Sequence, residues 1–418
     1  MIKNIFTSAI IVARLETGPL GSYLDLLATA LQKQGYAITT IGIHLREAHA
    51  FGNWLREQHH LDEISELMFE RYLADLSSQR EPLTPMRRQK ITTAIHLLLK
   101  HLRHAGVIAQ PPAESLPETE VRQWLIRYQE YLEKVIGLAP KTCQKYLCFA
   151  DRLLETMSQH GAIEWSAFTA DKITAFLQTE VAPRKGSGPH GPATAVRSFL
   201  RFLVSQSQLS AGLEMAIPPI RRWSQAALPQ RLSETEINRL LTICADRTAT
   251  GGRNYAILLL LSRLGLRAKE VARLQLNDID WVNGSLLARS SKTHCQRLLP
   301  LPQDVGEALL SYLQNGRPET TDREIFLSAV APYRPLKTSS TISVTVKRLL
   351  ARAGIKRQSS GAHLFRHTAA TQMVNRGASF KDVADVLGHQ QLQTTGIYAK
   401  LDLAALSEVA LPWPGGAQ

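Results

Sequence analysis

Two stretches of this chain repeat each other about one hundred residues apart, and that repeat limits the possible fold more than any other feature. Gly35, Ala37, Thr40, Ala48 and Phe51 reappear as Gly137, Ala139, Thr142, Ala150 and Leu153. Farther on, Tyr72 and Leu73 pair with Phe176 and Leu177. Thr93, Ala94 and Ile95 ahead of Leu99 and Leu102 pair with Thr194, Ala195 and Val196 ahead of Leu200 and Leu203. In both copies apolar residues recur at helical spacing, over 23–31, 44–55, 91–102, 124–132, 146–157 and 196–204. Such a period implies a duplicated module of four helices. Thr40 and Thr142 are the expected N-caps of equivalent helices, because a threonine hydroxyl can accept a free amide hydrogen of the first turn.

Proline and glycine punctuation breaks the chain near 110–116 and again near 217–231, where Pro218, Pro219 and Pro229 block any helical continuation. The expected organisation is a helical module at 1–110, a second at 117–215, a linker at 216–231 and a third domain at 232–418. This last domain opens with Ser233 and Glu236 at capping-box spacing. Helices are expected at 255–264 and 269–274, and then the period changes. Asn283-Gly284 marks a hairpin between strands at 279–282 and 286–289, and a third strand at 297–301 follows a polar tip at 290–296. The fold class is therefore mainly α, multi-domain, with a small antiparallel β-sheet in the last domain.

The chain has 418 residues, with 49 Lys plus Arg against 36 Asp plus Glu, a formal charge of +13. With 44% hydrophobic and 20% charged residues it can bury real cores, which excludes a disordered polycation. The apolar run at 256–261 is far short of the ~18 residues of a membrane span. Residues 5–13 follow a lone Lys3 and precede no small-residue cleavage site, so a cytoplasmic location is expected rather than export. Cys143, Cys148, Cys244 and Cys295 form no CxxC pair, which indicates neither a disulfide framework nor a zinc site. The positive surplus favours a polyanionic partner.

His363, Arg366 and His367 lie at i, i+3 and i+4, hence on one helical face. The histidine pair has the spacing of a zinc-binding helix, but the glutamate of HExxH is missing and Arg366 would repel a cation, so no metal is expected. Downstream, Gly377 ends a helix and Ser379 caps the next, which runs from Phe380 to Leu387 and stops at Gly388-His389. Thr394-Thr395-Gly396-Ile397-Tyr398 follows. Taken singly, Tyr398 reads as a partly buried core tyrosine, Arg267 as a surface arginine paired with Glu270 at i+3, and Lys292 as an exposed lysine at the hairpin tip.

Together these residues resemble the tyrosine recombinase (phage integrase) family. The resemblance rests on Gly-Leu-Arg267 with Glu270, Lys292 five residues before Arg297-Leu-Leu-Pro-Leu, His363-x-x-Arg366-His, Leu-Gly-His389, and Thr-Thr-x-x-Tyr398 nine residues after that histidine. It covers 232–405 strongly and 117–215 more weakly, the latter as the family's helical, SAM-like core-binding domain. Phe365 stands where the family often has leucine, and Ala268-Lys269 replaces its usual apolar and small residues.

The resemblance implies that Tyr398 attacks a DNA phosphorus and forms a 3′-phosphotyrosyl link. By the same resemblance Arg267 and Arg366 clamp the nonbridging oxygens, Lys292 protonates the leaving 5′ oxygen, His363 helps deprotonate the tyrosine and His389 donates a hydrogen bond to the phosphoryl group. No cofactor is implied. The implied partners are double-stranded DNA with inverted-repeat or crossover sites, further copies of the chain in a tetramer, and other recombinases of the same mobile element. A short amphipathic helix at 402–411 would dock on a neighbouring copy, with docking in cis on its own domain as the plain alternative. Arg184, Lys185, Arg221 and Arg222 are expected phosphate contacts, with solvated loop charge as the plain alternative. Type IB topoisomerase activity, a catalytically silent DNA-binding partner and a helix-turn-helix regulator are the competing readings.

Overall fold

A computed structural model of the protein describes residues 1–58, 64–78, 83–110, 119–159, 162–181, 190–217, 229–246, 248–289, 296–357, 361–389, 391 and 395–401. Two short helices, α1 (Ile2–Ile5) and α2 (Ala9–Thr17), precede the first copy of the repeat, α3 (Gly21–Lys33), α4 (Ile38–Glu57), α5 (Glu66–Ser78) and α6 (Pro85–His104). The second copy follows in the same order. It comprises α7 (Glu120–Glu130), prolonged by a π-helical turn at Tyr131–Val135, then α8 (Pro140–Thr156), α9 (Ala170–Val181) and α10 (His190–Ser205). Strands β1 (Ser158–Gln159) and β2 (Ala162–Ile163) form a small antiparallel pair between α8 and α9.

The correspondence reaches the backbone. Gly35 and Gly137 both turn the chain with positive φ, at +80° and +71°, where a side chain would be strained. Two residues later Ala37 and Ala139 share φ −63°, ψ 143° and serve as the N-caps of α4 and α8. The expected capping by Thr40 and Thr142 is therefore wrong by three residues. Pro140 explains the shift in the second copy, since its fixed φ and missing N–H suit the first helical position. In the first copy the Ile41 amide already donates to the Ala37 carbonyl at 2.9 Å, leaving Thr40 inside the first turn.

Each copy buries its own core. Leu24, Leu45, Phe51, Tyr72, Leu98 and Leu99 fill the first. In the second, Trp124, Leu153, Phe199 and Phe202 surround Tyr128, whose hydroxyl donates to Ser198 Oγ at 3.0 Å. Burying one such side chain contributes about 1.5–3 kcal/mol, far more than helix propensity does.

The last domain is built around a helix apolar on all sides. After α11 (Glu234–Cys244), held by the expected reciprocal Ser233–Glu236 capping box, comes α12 (Ala249–Arg263). Its residues Ala256 to Leu261 are each at most 1% exposed, as a central core helix requires. Among the described residues no helix is long and apolar enough to cross a membrane. Then follow α13 (Ala268–Ala272) and a three-stranded antiparallel sheet, β3 (Ile279–Asp280), β4 (Ser285–Arg289) and β5 (Gln296–Pro300), in that spatial order. Helices α14 (Gln303–Asn315), α15 (Ser339–Arg352), α16 (His363–Asn375) and α17 (Phe380–Leu387) and a 3-10 segment, Gly396–Leu401, complete it.

The first hairpin is shorter than expected. Strand β3 stops at Asp280, and Val282 is 94% exposed outside it. The Asp280 carboxylate accepts from the amides of Val282 and Asn283 and from Asn283 Nδ2, so an aspartate, not Asn-Gly alone, organises a four-residue turn. Met1–Ala109 with Gln225–Gln418 pack as one compact unit and Gln110–Ser224 as a second.

Candidate active site

A buried carboxylate organises the site. Glu270 on α13 is 5% exposed and receives Arg297 of β5 as a two-pronged pair, at 3.1 and 2.8 Å. Arg267, the N-cap residue of α13, donates its own backbone N–H and its Nη1 to the same carboxylate, both at 2.9 Å. Burial opposes ionisation of Glu270, but the hydrogen bonds and charge of Arg297, then those of Arg267, hold its pKa below the ordinary glutamate value. The remaining prong of Arg267 donates to the Gly388 carbonyl at 2.7 Å.

Arg366 on α16 is 4% exposed and donates to the carbonyls of Gly265 at 2.8 Å and Leu387 at 2.6 Å. Burial first, and the charge of Arg267 second, lower its pKa to about 10, which leaves it cationic at neutral pH. The two guanidinium groups thus join the loop before α13 to the end of α17. Gly265 and Gly388 make this possible, with φ of +59° and +65°. A Cβ at Gly388 would lie 2.6 Å from Arg297 Nη1, and one at Gly265 would lie 2.6 Å from Leu387 Cδ2. Arg267, Lys269, Ser339, Ser343, His363 and Arg366 line one open cleft.

His389 follows Gly388, and its Nδ1 lies 2.7 Å from Thr395 Oγ1. Burial, then Arg366, Arg267 and Arg297, lower its pKa to about 4, so the ring is neutral at pH 7. Tyr398 lies on the 3-10 segment against α16, 1% exposed among Ala370, Val374, Val383 and Leu387. Its hydroxyl lies 2.9 Å from Nδ1 of His367. Burial pushes the phenol up to about 12, against a smaller opposing effect of Arg366. Burial, then His363 and Arg366, lower the pKa of His367.

The structure therefore brings Arg267, His363 and Arg366 to one cleft and ties His389 and Tyr398 to it through neighbours. His363 lines the cleft, and His367, not His363, is the imidazole at the tyrosine hydroxyl in this conformation. Lys292, Arg184, Lys185, Arg221, Arg222 and the expected helix at 402–411 lie outside the described residues. Sequence reasoning missed Arg297, His367 and Thr395. All three stand inside the motifs quoted above, but nothing in those motifs says that Arg297 pairs with Glu270, which imidazole meets Tyr398 or that Thr395 meets His389. Among the described residues no group of three or more His, Cys, Asp or Glu side chains could hold a metal ion.

A family profile described as the phage integrase family matches residues 230–404. "Putative integrase/recombinase y4rA" of Sinorhizobium fredii is 34% identical over 418 residues, covering 100% of both chains. The tyrosine recombinase XerA of Thermococcus onnurineus is 27% identical over 289 residues, 68% of this chain and 93% of that one. Among solved structures, a lambda integrase tetramer bound to a Holliday junction matches with TM-score 0.53 and 19% identity, over 77% of this chain and 89% of its own. That likeness concerns the fold.

Proposed function

The chain belongs to the phage integrase family and is a tyrosine recombinase, and from that premise we propose that it cuts and rejoins DNA strands of a mobile element through a 3′-phosphotyrosyl intermediate. The observation that supports this reading is the convergence of Arg267, Arg366 and His363 on one cleft, with His389 and Tyr398 packed against the same helices. Two guanidinium groups held by carbonyls and a buried carboxylate are preorganised donors for the charge that gathers on the nonbridging oxygens of a phosphoryl transition state. The Tyr398 oxygen forms the new bond to phosphorus and gives its proton to an imidazole of the His363 stripe, His367 being the one at its hydroxyl in this conformation, while the bond to the 5′ oxygen breaks and Lys292 supplies the proton that oxygen needs. His389 donates to a nonbridging oxygen. A 5′ hydroxyl reseals the strand by the reverse path.

Tyr398 is 1% exposed, so the geometry is that of a resting enzyme, and attack requires the Gly396–Leu401 segment to move when DNA binds. Assembly follows the same logic. The reading takes the partner as double-stranded DNA with paired sites and the active species as a tetramer, the state named for the lambda integrase neighbour. Arg184, Lys185, Arg221 and Arg222 are proposed phosphate contacts, each of which would lower the salt slope of binding by about one unit when neutralised.

The test uses a nicked suicide duplex in EDTA. A denaturant-resistant adduct should form with the wild-type chain and be absent with Tyr398→Phe. An adduct that persists in the phenylalanine variant overturns the assignment. Arg366→Ala should slow adduct formation by about 10²–10³-fold, as loss of one preorganised oxyanion donor does elsewhere.

A further inference from the structure

Thr395 lies between the two ends of the proposed chemistry. It is fully buried, its carbonyl accepts the Tyr398 amide at 3.0 Å, and its hydroxyl lies 2.7 Å from Nδ1 of His389. We infer that Thr395 is a positioning residue for His389: its hydroxyl donates to Nδ1 and so fixes the neutral ring with its proton on Nε2, the form that can donate to a phosphoryl oxygen. This deepens the strand-transfer reading above and rests on it.

The direction of the hydrogen bond decides the matter. A neutral imidazole carries one N–H, and its partner at one nitrogen sets which nitrogen bears it. If Nδ1–H donated to Thr395, Nε2 would be a bare acceptor facing an anionic oxygen, and the threonine would still have its own hydrogen to place in the interior. Among the described residues the ring nitrogen is the one hydrogen-bond partner of that hydroxyl. A buried hydroxyl that only accepts leaves its donor unsatisfied, whereas donation to Nδ1 satisfies both groups. The surrounding charges agree, because Arg366, Arg267 and Arg297 disfavour a doubly protonated ring.

Geometry adds a second consequence. His389 is half-buried, with Nδ1 turned to a residue that has no solvent exposure, so the opposite edge of the ring is the part left for a ligand. The same residue caps the turn that carries Tyr398. Hydrogen donor and nucleophile are thereby set by one residue, through its side chain and its backbone.

Two variants separate the hydroxyl from the packing: Thr395→Val keeps the shape without the donor, and Thr395→Ser keeps the donor. In full-length protein with ¹⁵N-labelled histidine, the His389 ring, assigned with His389→Gln, should show the Nε2–H form in the wild type and in Thr395→Ser. Thr395→Val should lose that single form. On the suicide duplex Thr395→Val should form adduct about 10- to 100-fold more slowly, the range seen when partners that orient histidines at metal sites are removed, with Thr395→Ser close to wild type. Retention of the Nε2–H form in Thr395→Val overturns the inference, whatever the rate does. Loss of it in Thr395→Ser does the same. If the wild type forms no adduct at all, the strand-transfer reading fails while the ring measurement still decides the role of Thr395.

Discussion

Glu270 is ionised where solvent cannot help it, and two arginines make that tolerable. Removing the charge would leave Arg297, with its side chain 12% exposed, facing a neutral group. Breaking a buried pair from one side costs about 3–5 kcal/mol, a large share of the ~5–15 kcal/mol that holds a domain folded. Glu270→Ala should therefore lower the urea midpoint sharply and misplace Arg267, while Glu270→Asp should be milder. Urea unfolding followed by circular dichroism measures this, and an unchanged midpoint would mean that both guanidinium groups find other partners. At this scale Arg267, Arg366, His389 and Tyr398 were singled out by motifs that resemble the tyrosine recombinase family, each taken alone reading as an ordinary structural residue. His367 and Thr395 were not, because their value lies in pairings 31 and 6 positions away that exist only once the 3-10 segment packs on α16. The family resemblance named His363 as the imidazole for Tyr398, and in this conformation it is His367 of the same stripe that stands at the hydroxyl.

Elements obeyed local rules wherever a local rule was strong. The Ser233 capping box and the Ser379 cap sit where their side chains demand, and the repeat maps helix for helix. Thr40 and Thr142 failed because a threonine near a helix start is only one candidate cap, and in the second copy Pro140 outweighs it by fixing the first helical residue. Residue 282 failed as strand because Asp280 offers the next two amides a nearer acceptor than a ladder would. The glycine that ends α17 gives a measurable case. Gly388 and Gly284 have similar positive φ, +65° and +57°, so alanine at either should cost about 1–2 kcal/mol of backbone strain. A new Cβ at Gly284 meets nothing within 4 Å, but at Gly388 it meets Arg297 Nη1 at 2.6 Å. Thermal melts should therefore show Gly388→Ala as the more destabilising of the two. Equal losses would mean that Arg297 yields freely and that the contact at the end of α17 is loose.

Over the whole molecule the histidines make stability depend on pH in a direction that can be worked out. Burial is the first cause of lowered pKa at His44, His49, His101, His363, His367 and His389, six of the thirteen in the chain. A histidine held neutral in the fold binds its proton first in the unfolded chain, near pH 6.5, so unfolding takes up protons as pH falls below that value. Their stabilising contribution is complete above about pH 6.5 and is lost progressively on the way down, for His389 until about pH 4. The carboxylates Asp25, Glu66, Glu270 and Asp280 act in a lower window. Their pKa values are depressed in the fold, so the stability they add is present above the ordinary carboxylate range and is lost only as pH falls through and below it. Three of the six histidines lie in the first helical module and three at the candidate site, so both regions should weaken together between pH 6.5 and 5, before the carboxylates protonate. Melts at fixed ionic strength should show the midpoint falling from pH 7 to pH 5, with net proton uptake on unfolding near pH 5.5. A midpoint that stays level or rises across that interval would show that these rings, taken together, bind protons in the folded protein at least as readily as in the unfolded chain.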